Sequence, residues 1–346
     1  MISEITSSIN FEEYNKIINQ NESTFYQSVN HLKFLESILK LKANYISIKD
    51  KNKLVGVMPY FEKKEEYGIV INSLPFFGSY GGIISNSSEI DKKILDELNS
   101  INKEKDILSS VIIDNPFNTK NKLYSKKFVH NVFEERLIQC AVIENNKKED
   151  LWNKFEQRVR RSVRKSEKNE IKVVTENIDE NHLENFYKLH VDSMKIKNGK
   201  NKPKQFFSSL LKNFESKKDY EIFTAMKENK PIAYLLVFYH KNMAEYYMPA
   251  YDPKYISFQS TSHLIWESIK KAMDREINYY NFGGTWKDQN ELYRFKRGWN
   301  ADDFNYKYFI NRDLDRINEV GIKRILEKYQ YFYISPFTDF KNDRKH

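Results

Sequence analysis

The sequence predicts an α/β (α+β) chain of two tandem domains, each a mixed, largely antiparallel sheet flanked by helices. Three observations predict it. The 346 residues call for two domains at about 150 residues each. Both halves run in one order, with no residue-by-residue repeat: a helix, several extended segments, a glycine-bearing loop, a helix, then one or two further extended segments. A polar run from Glu144 to Asp150 separates them. The expected division is residues 1–148, residues 149–312 and a helical tail over 313–346.

In the first half, Leu32, Leu35 and Leu39 recur at helical spacing between Asn30 and Leu41. Ala43 to Ile48 and Lys53 to Tyr60 read as strands around the turn Lys49 to Asn52, and Tyr67 to Leu74 as a third. A loop from Pro75 to Ser85 carries Gly78, Gly81 and Gly82. A helix near Glu89 to Asn102 and strands at Leu108 to Ile113 and Arg136 to Val142 complete this half.

The second half opens on a helix from Leu151 to Asn169, with Trp152, Phe155, Val159 and Val163 forming its apolar stripe. A strand at Ile171 to Thr175 and helices at Glu180 to Met194 and Lys204 to Phe214 follow. Tyr220 to Met226, Ile232 to Tyr239 and Met243 to Pro249 read as a strand meander. The helix Ser260 to Met273 and extended segments at Tyr279 to Phe282 and Phe304 to Phe309 close the sheet, and Leu314 to Tyr331 reads as a helical tail.

Composition excludes several classes. With 24 Phe, 23 Tyr and 40% hydrophobic residues the chain carries too much apolar surface to stay disordered. Its longest apolar runs, such as Ala233 to Phe238, fall far short of the roughly 20 residues of a membrane span. Met1 to Ile5 has neither a basic nor an apolar leader region, so a cytoplasmic location is expected. The single cysteine, Cys140, sits in an apolar run and reads as a small buried hydrophobe. No histidine pair has metal-ligand spacing, and no metal is expected.

The net charge of +9 points to anionic partners. Its distribution is uneven. Residues 151–170 hold seven cations against three anions, nearly half of the net excess. Arginine forks match paired phosphate oxygens, so Arg161, Arg164 and Lys165 are candidate substrate-binding residues; the competing reading is a solvated helix face.

Glycine placement is the second clue. Of only 10 glycines, five lie in two aromatic-bordered loops, Gly78, Gly81 and Gly82 beside Tyr80, and Gly283 and Gly284 beside Phe282. Glycine admits positive φ and close approach to backbone N–H groups, although tight turns alone also explain such loops. Neither loop matches a nucleoside-triphosphate or dinucleotide fingerprint. Near the second loop, Thr285, Tyr293, Arg294, Lys296 and Arg297 bring a hydroxyl and cations to one expected strand end.

Three phrases in order, Leu74 to Gly82, Arg158 to Lys168, and Tyr280 to Thr285 with Leu292 to Gly298, resemble the FemAB-like family, built from two GNAT-type acyltransferase domains. The resemblance covers roughly residues 20 to 312. It implies transfer of an aminoacyl or acyl group onto an amine of a peptidoglycan or other envelope precursor, with aminoacyl-tRNA or acyl-CoA as co-substrate and no bound cofactor. It further implies an anionic, nucleotide- or lipid-linked acceptor held by Arg161, Arg164 or Lys165, with Lys296 near the reacting acyl group. A peripheral position at the inner membrane face is compatible with the basic charge.

Two departures qualify the resemblance. No heptad stretch forms the helical arm of members that act on membrane-bound precursors. Where ordinary GNAT enzymes carry a glycine-rich pyrophosphate loop, the chain has Phe258 to His263 without glycine, leaving the helix N-terminal amides at Ser260 and Thr261 as the expected donor phosphate site.

Aminolysis needs an oxyanion stabiliser, and a preorganised donor is worth about 3 to 4 kcal/mol. Lys296 and the backbone amides of Gly283, Gly284 and Thr285 are the expected stabilisers, with Tyr293 or Tyr246 as a proton relay. Tyr80, Gly81, Gly82, Tyr246, Gly283 and Gly284 are expected to bind substrate. The alternatives are an acetyl-CoA-dependent N-acetyltransferase of an amino sugar or small molecule, and a non-catalytic nucleic-acid-binding protein.

Overall fold

The computed structural model describes residues 1–104, 106–175, 180–197, 199–286, 288–336 and 338–339. In chain order the first strands and helices are β1 (Ile2–Thr6), α1 (Phe11–Gln20), α2 (Val29–Leu39), β2 (Ala43–Asp50), β3 (Lys53–Glu65), β4 (Gly68–Asn72), α3 (Ser88–Glu104), β5 (Ile107–Ile113), α4 (Asn121–Lys127) and β6 (Val132–Val142). Next come α5 (Lys148–Lys154), α6 (Gln157–Lys168), β7 (Lys172–Val174), α7 (Glu180–Ile196), α8 (Phe206–Asn213), β8 (Tyr220–Lys227), β9 (Lys230–His240) and β10 (Met243–Tyr251). The last are α9 (Ser260–Asp274), β11 (Tyr279–Thr285), α10 (Asn290–Arg297), β12 (Ala301–Arg312), α11 (Leu314–Val320) and α12 (Ile322–Lys328).

Two compact units result, residues 1–137 with 305–346, and residues 138–304. The sequence places the division after residue 148; the contacts place it at 137/138 and 304/305, inside β6 and β12. A polar run marks a loop, whereas a unit boundary follows where side chains pack. The tail falls with the first unit for the same reason. Tyr329 donates to the Gly68 carbonyl at 2.8 Å, Asn72 exchanges hydrogen bonds with the Tyr333 backbone, and Ser109 donates to the Ile334 carbonyl at 2.6 Å. Residues 337 and 340–346 of the expected tail lie outside the described residues.

In the first unit the sheet order is β1-β2-β3-β4-β5-β12, antiparallel except for the parallel β4–β5 pair. The α3 stripe of Ile90, Ile94, Leu98 and Ile101 buries against Ile46, Ile48, Met58 and Tyr60. Strand β1 and helices α1 and α4 are not anticipated by the sequence reading. Asn10 caps α1 by accepting from the Glu12 and Glu13 amides.

In the second unit the order is β6-β11-β10-β9-β8-β7. Strand β9 is buried along most of its length because helices cover both faces. On one face Leu264, Ile265 and Ile269 of α9 join Val159 and Val163 of α6. On the other Phe186 of α7 stacks on Tyr234 at 4.8 Å. The expected single helix from 151 to 169 is broken at Phe155, whose backbone is extended. Its ring is clamped among Trp152, Trp266 and Trp299, and the Glu156 amide turns to donate to the Gly298 carbonyl at 2.9 Å. That packing outweighs helix continuation.

Strands β10 and β11 run parallel, joined through α9. Their ladder is short, Met243 to Glu245 against Tyr279 to Asn281, and a bulge follows between Tyr246 and Met248. Beyond Glu245 and Asn281 the two strands no longer consume each other's backbone groups, and Gly283, Gly284 and Thr285 continue past the end of the ladder.

Candidate active site

Lys296 is placed by α10 and points back at the end of β11. Only 2% of it is exposed. Its ammonium donates to the Gly283 carbonyl at 2.9 Å, the Gly284 carbonyl at 2.6 Å and Thr285 Oγ1 at 3.0 Å. An ammonium has three N–H bonds, and each has an acceptor. Burial nevertheless pushes its pKa down from 10.5 to about 7, so both protonation states are within reach near neutrality.

A second layer fixes this cradle. Thr285 Oγ1 donates to Gln139 Oε1 of β6 at 3.0 Å, and Gln139 Nε2 donates to the Tyr293 carbonyl of α10 at 3.2 Å. The helix and the strand it serves are thereby tied through one buried amide. On the other side, Asn281 accepts from the Gly283 N–H at 2.8 Å and donates to the Glu245 carboxylate at 2.8 Å. Gly283 has φ +73°, and among the described residues nothing lies within 4 Å of where a Cβ would stand. The position demands glycine and leaves one side of the cradle open.

The expected site residues separate into groups. Lys296, Thr285, Gly283 and Gly284 are brought together by the Lys296 hydrogen bonds. The Gly283 amide, expected among the oxyanion donors, is instead consumed by Asn281, because the left-handed residue turns its N–H toward that side chain. The Tyr293 hydroxyl is directed to Asp303, at 2.9 Å, rather than to Lys296, and that bond holds its pKa above the usual value. Tyr246 lies half-buried with its ring 5.7 Å from that of Phe282, and burial pushes its pKa up.

Tyr80, Gly81 and Gly82 belong to the first unit, where the loop is closed. A Cβ on Gly81 would meet Gln27 Cδ at 2.6 Å, one on Gly82 would meet the Tyr124 hydroxyl at 2.4 Å, and Tyr80 is buried. Gln27 donates to the Gly82 carbonyl and Thr24 to the Tyr80 carbonyl, both at 2.9 Å. These glycines admit neighbouring side chains, not an open face.

Arg161, Arg164 and Lys165 are exposed on α6, with Arg164 5.6 Å over the Trp152 ring. The same helix packs on α9 and on the short turn before it, Pro253–Phe258. Gln259 enters α9 in the left-handed region without capping it, and the buried Ser260 Oγ has no hydrogen-bond partner among the described residues; Thr261 is half-buried beside it. The uncapped amides of a 15-residue helix carry partial positive charge.

Sequence reasoning missed Gln139, Glu245 and Asn281. Its one available signal was a carboxylate, Glu245, inside the otherwise apolar strand from Met243 to Pro249.

Residues 153–307 match the family described as acetyltransferase (GNAT) domain, a little under half of the chain. The crystal structure of FemX superposes with a TM-score of 0.72 at 16% identity, covering 92% of this chain and 100% of that one. The chain has a FemAB-like, tandem GNAT fold. The same fold is shared with L-PGS from Bacillus licheniformis (TM-score 0.53, 11% identity, 92% and 96% covered). A tandem GNAT protein from the clavulanic acid biosynthesis pathway also shares it (TM-score 0.55, 6% identity, 89% and 98% covered). No curated protein matches the chain in sequence. The Lys296 cradle lies in the second GNAT domain, which is an acyltransferase domain. Among the described residues no helix is long and apolar enough to cross a membrane.

Proposed function

We propose that this protein transfers an aminoacyl or acyl group onto an amine of an anionic, cell-envelope precursor. The observation that carries the reading is the buried Lys296 ammonium held at the open end of β11, where the β10–β11 ladder stops. Burying a lysine without a paired carboxylate is costly, and a cationic donor beside an open glycine face suits developing oxyanion charge.

In the reaction the amine nitrogen forms a bond to the acyl carbonyl carbon, and the bond from that carbon to the donor oxygen or sulfur breaks. The nucleophile loses one proton, and the departing alkoxide or thiolate gains one. Lys296 exchanges one of its three acceptors for the oxyanion, while the other two hold it in place. Thr285 and Gln139 keep its direction. Tyr293, bonded to Asp303, supports α10 rather than carrying the proton.

The name of one neighbour agrees with a lipid-linked acceptor: the C-terminal domain of a putative lysylphosphatidylglycerol synthetase from Agrobacterium fabrum. Arg161, Arg164 and Lys165 supply an exposed phosphate-binding face for a nucleotide- or lipid-linked acceptor or for a tRNA donor. The uncapped α9 N-terminus at Ser260 and Thr261 favours a second reading of the donor, acyl-CoA with its pyrophosphate on those amides.

One experiment separates the donors. Purified protein is incubated with labelled acetyl-CoA or with charged tRNA and amine-bearing nucleotide-sugars, and the mass gained by the amine is measured. Transfer from either donor supports the reading and names the donor. Absence of transfer from both, with salt-sensitive binding to generic RNA intact, overturns it in favour of a non-catalytic nucleic-acid binder.

A further inference from the structure

Glu245 and Asn281 are the last register partners of the β10–β11 ladder, and they are 1% and 0% exposed. Asn281 Nδ2 donates to Glu245 Oε2 at 2.8 Å. A carboxylate oxygen accepts and does not donate, so the amide turns its nitrogen to Glu245. Its Oδ1 then faces along β11 and receives the Gly283 N–H at 2.8 Å. The peptide so held is left-handed at Gly283, and its carbonyl and that of Gly284 are the acceptors of Lys296. A buried carboxylate and a buried ammonium are thus joined through one amide and one strand end rather than paired.

We infer that Glu245 is a positioning residue: by fixing which end of Asn281 faces Gly283, it holds the two glycine carbonyls in the orientation that receives Lys296. The sequence of contacts makes this directional. A glutamine at 245 presents either an oxygen or a nitrogen, and the Asn281 amide is then free to turn over. Turned over, Asn281 sets a donor against the Gly283 N–H, and the left-handed peptide loses its anchor. The elements around the cradle bring further titratable groups near it. Cys140 of β6 and Tyr247 of β10 are pushed up by burial, with the Glu245 charge adding to it, and Tyr293 with Asp303 stands beyond Gln139.

Its bearing on catalysis rests on the proposed role of Lys296, but the test reads the cradle itself. Full-length isotope-labelled protein is followed by NMR for hydrogen exchange of the Gly283 amide and for the titration of the Lys296 Nζ signal, assigned with Lys296→Met. In the wild type Gly283 is protected. In Glu245→Gln its exchange rises at least about tenfold, and the Lys296 midpoint falls by about one pH unit as an acceptor is loosened. Asn281→Ser, which retains the Glu245 charge, gives both changes too.

Wild-type exchange of Gly283 at the rate of an open loop overturns the inference without any variant. So does a folded Glu245→Gln protein with unchanged protection, or a midpoint shift seen in Glu245→Gln and absent in Asn281→Ser, which assigns the effect to charge alone. None of these readouts uses acyl transfer. Their failure leaves the proposed function standing, and failure of the donor experiment leaves the cradle standing.

Discussion

Lys296 Nζ lies 2.6 Å from the carbonyl oxygen of Gly284, the shortest of three bonds that anchor a buried ammonium to a strand end. With the Gln139 amide, which bonds Thr285 and the Tyr293 carbonyl, the lysine ties helix to strand, and it defines where the open side of Gly283 sits relative to a cation.

Lys296→Met is expected to lower turnover by about a hundredfold or more, the scale of losing an oxyanion donor, while the fold persists. Lys296→Arg does not restore it, because a planar fork cannot reach three acceptors arranged for a point donor. Steady-state rates with the donor identified by mass labelling, beside circular dichroism, check this.

The Lys296 pKa also sets a stability slope. Its folded value is about 7 against 10.5 for the free side chain. Below pH 7 both states carry the proton and the burial penalty is fully present. Between about 7 and 10.5 the unfolded chain binds more proton, so stability rises with pH. Relative to Lys296→Met, the wild type should gain up to about 1.4 kcal/mol per pH unit in that window. Urea denaturation at pH 6.5, 8 and 9.5 measures it; parallel curves for the two proteins contradict a lowered pKa.

The two glycine loops respond differently to alanine. Gly82→Ala drives a methyl into the Tyr124 hydroxyl, 2.4 Å from the Cβ position, and destabilises by about 1–3 kcal/mol. Gly283→Ala meets no atom of the described residues but strains a φ of +73°, at roughly 1–2 kcal/mol. The first change is read in unfolding alone. The second also lowers turnover, since its methyl occupies the open side of the cradle.

On α6, Arg161→Ala with Lys165→Ala is the cleaner test of phosphate binding, because Arg164 also packs over Trp152. The double variant should raise KM for the phosphate-bearing substrate with little change in kcat. It should also reduce the slope of log affinity against log salt by about two when both residues contact phosphates. An unchanged KM and slope mean that the helix face is only solvated.

Much of this was legible in the chain. Periodic leucines and isoleucines place α2, α3 and α9, and apolar, aromatic-rich runs bounded by polar turns place the β8–β10 meander, because both signals are local. Lys296, Thr285 and Gly283 were legible as a cluster since they lie within twenty residues. Gln139 and Glu245 reach the cradle from other strands, and no local pattern encodes a hydrogen bond that depends on strand order. The break at Phe155 was hidden for a related reason: an aromatic on a helical stripe also suits a clamp formed by Trp266 and Trp299, residues more than a hundred positions away. Gly81 and Gly283 look alike in sequence, yet Gln27 fills the space beside one and no described residue fills the space beside the other.

The central claim is that this chain moves an acyl group to an amine at the Lys296 cradle. It is tested most directly by intact-mass analysis of an amine-bearing nucleotide-sugar after incubation with labelled acetyl-CoA or charged tRNA and either wild-type or Lys296→Met protein. The account predicts label on the amine with the wild type, and at least about a hundredfold less with the variant. Full transfer by Lys296→Met, or no transfer by the wild type from either donor, contradicts it.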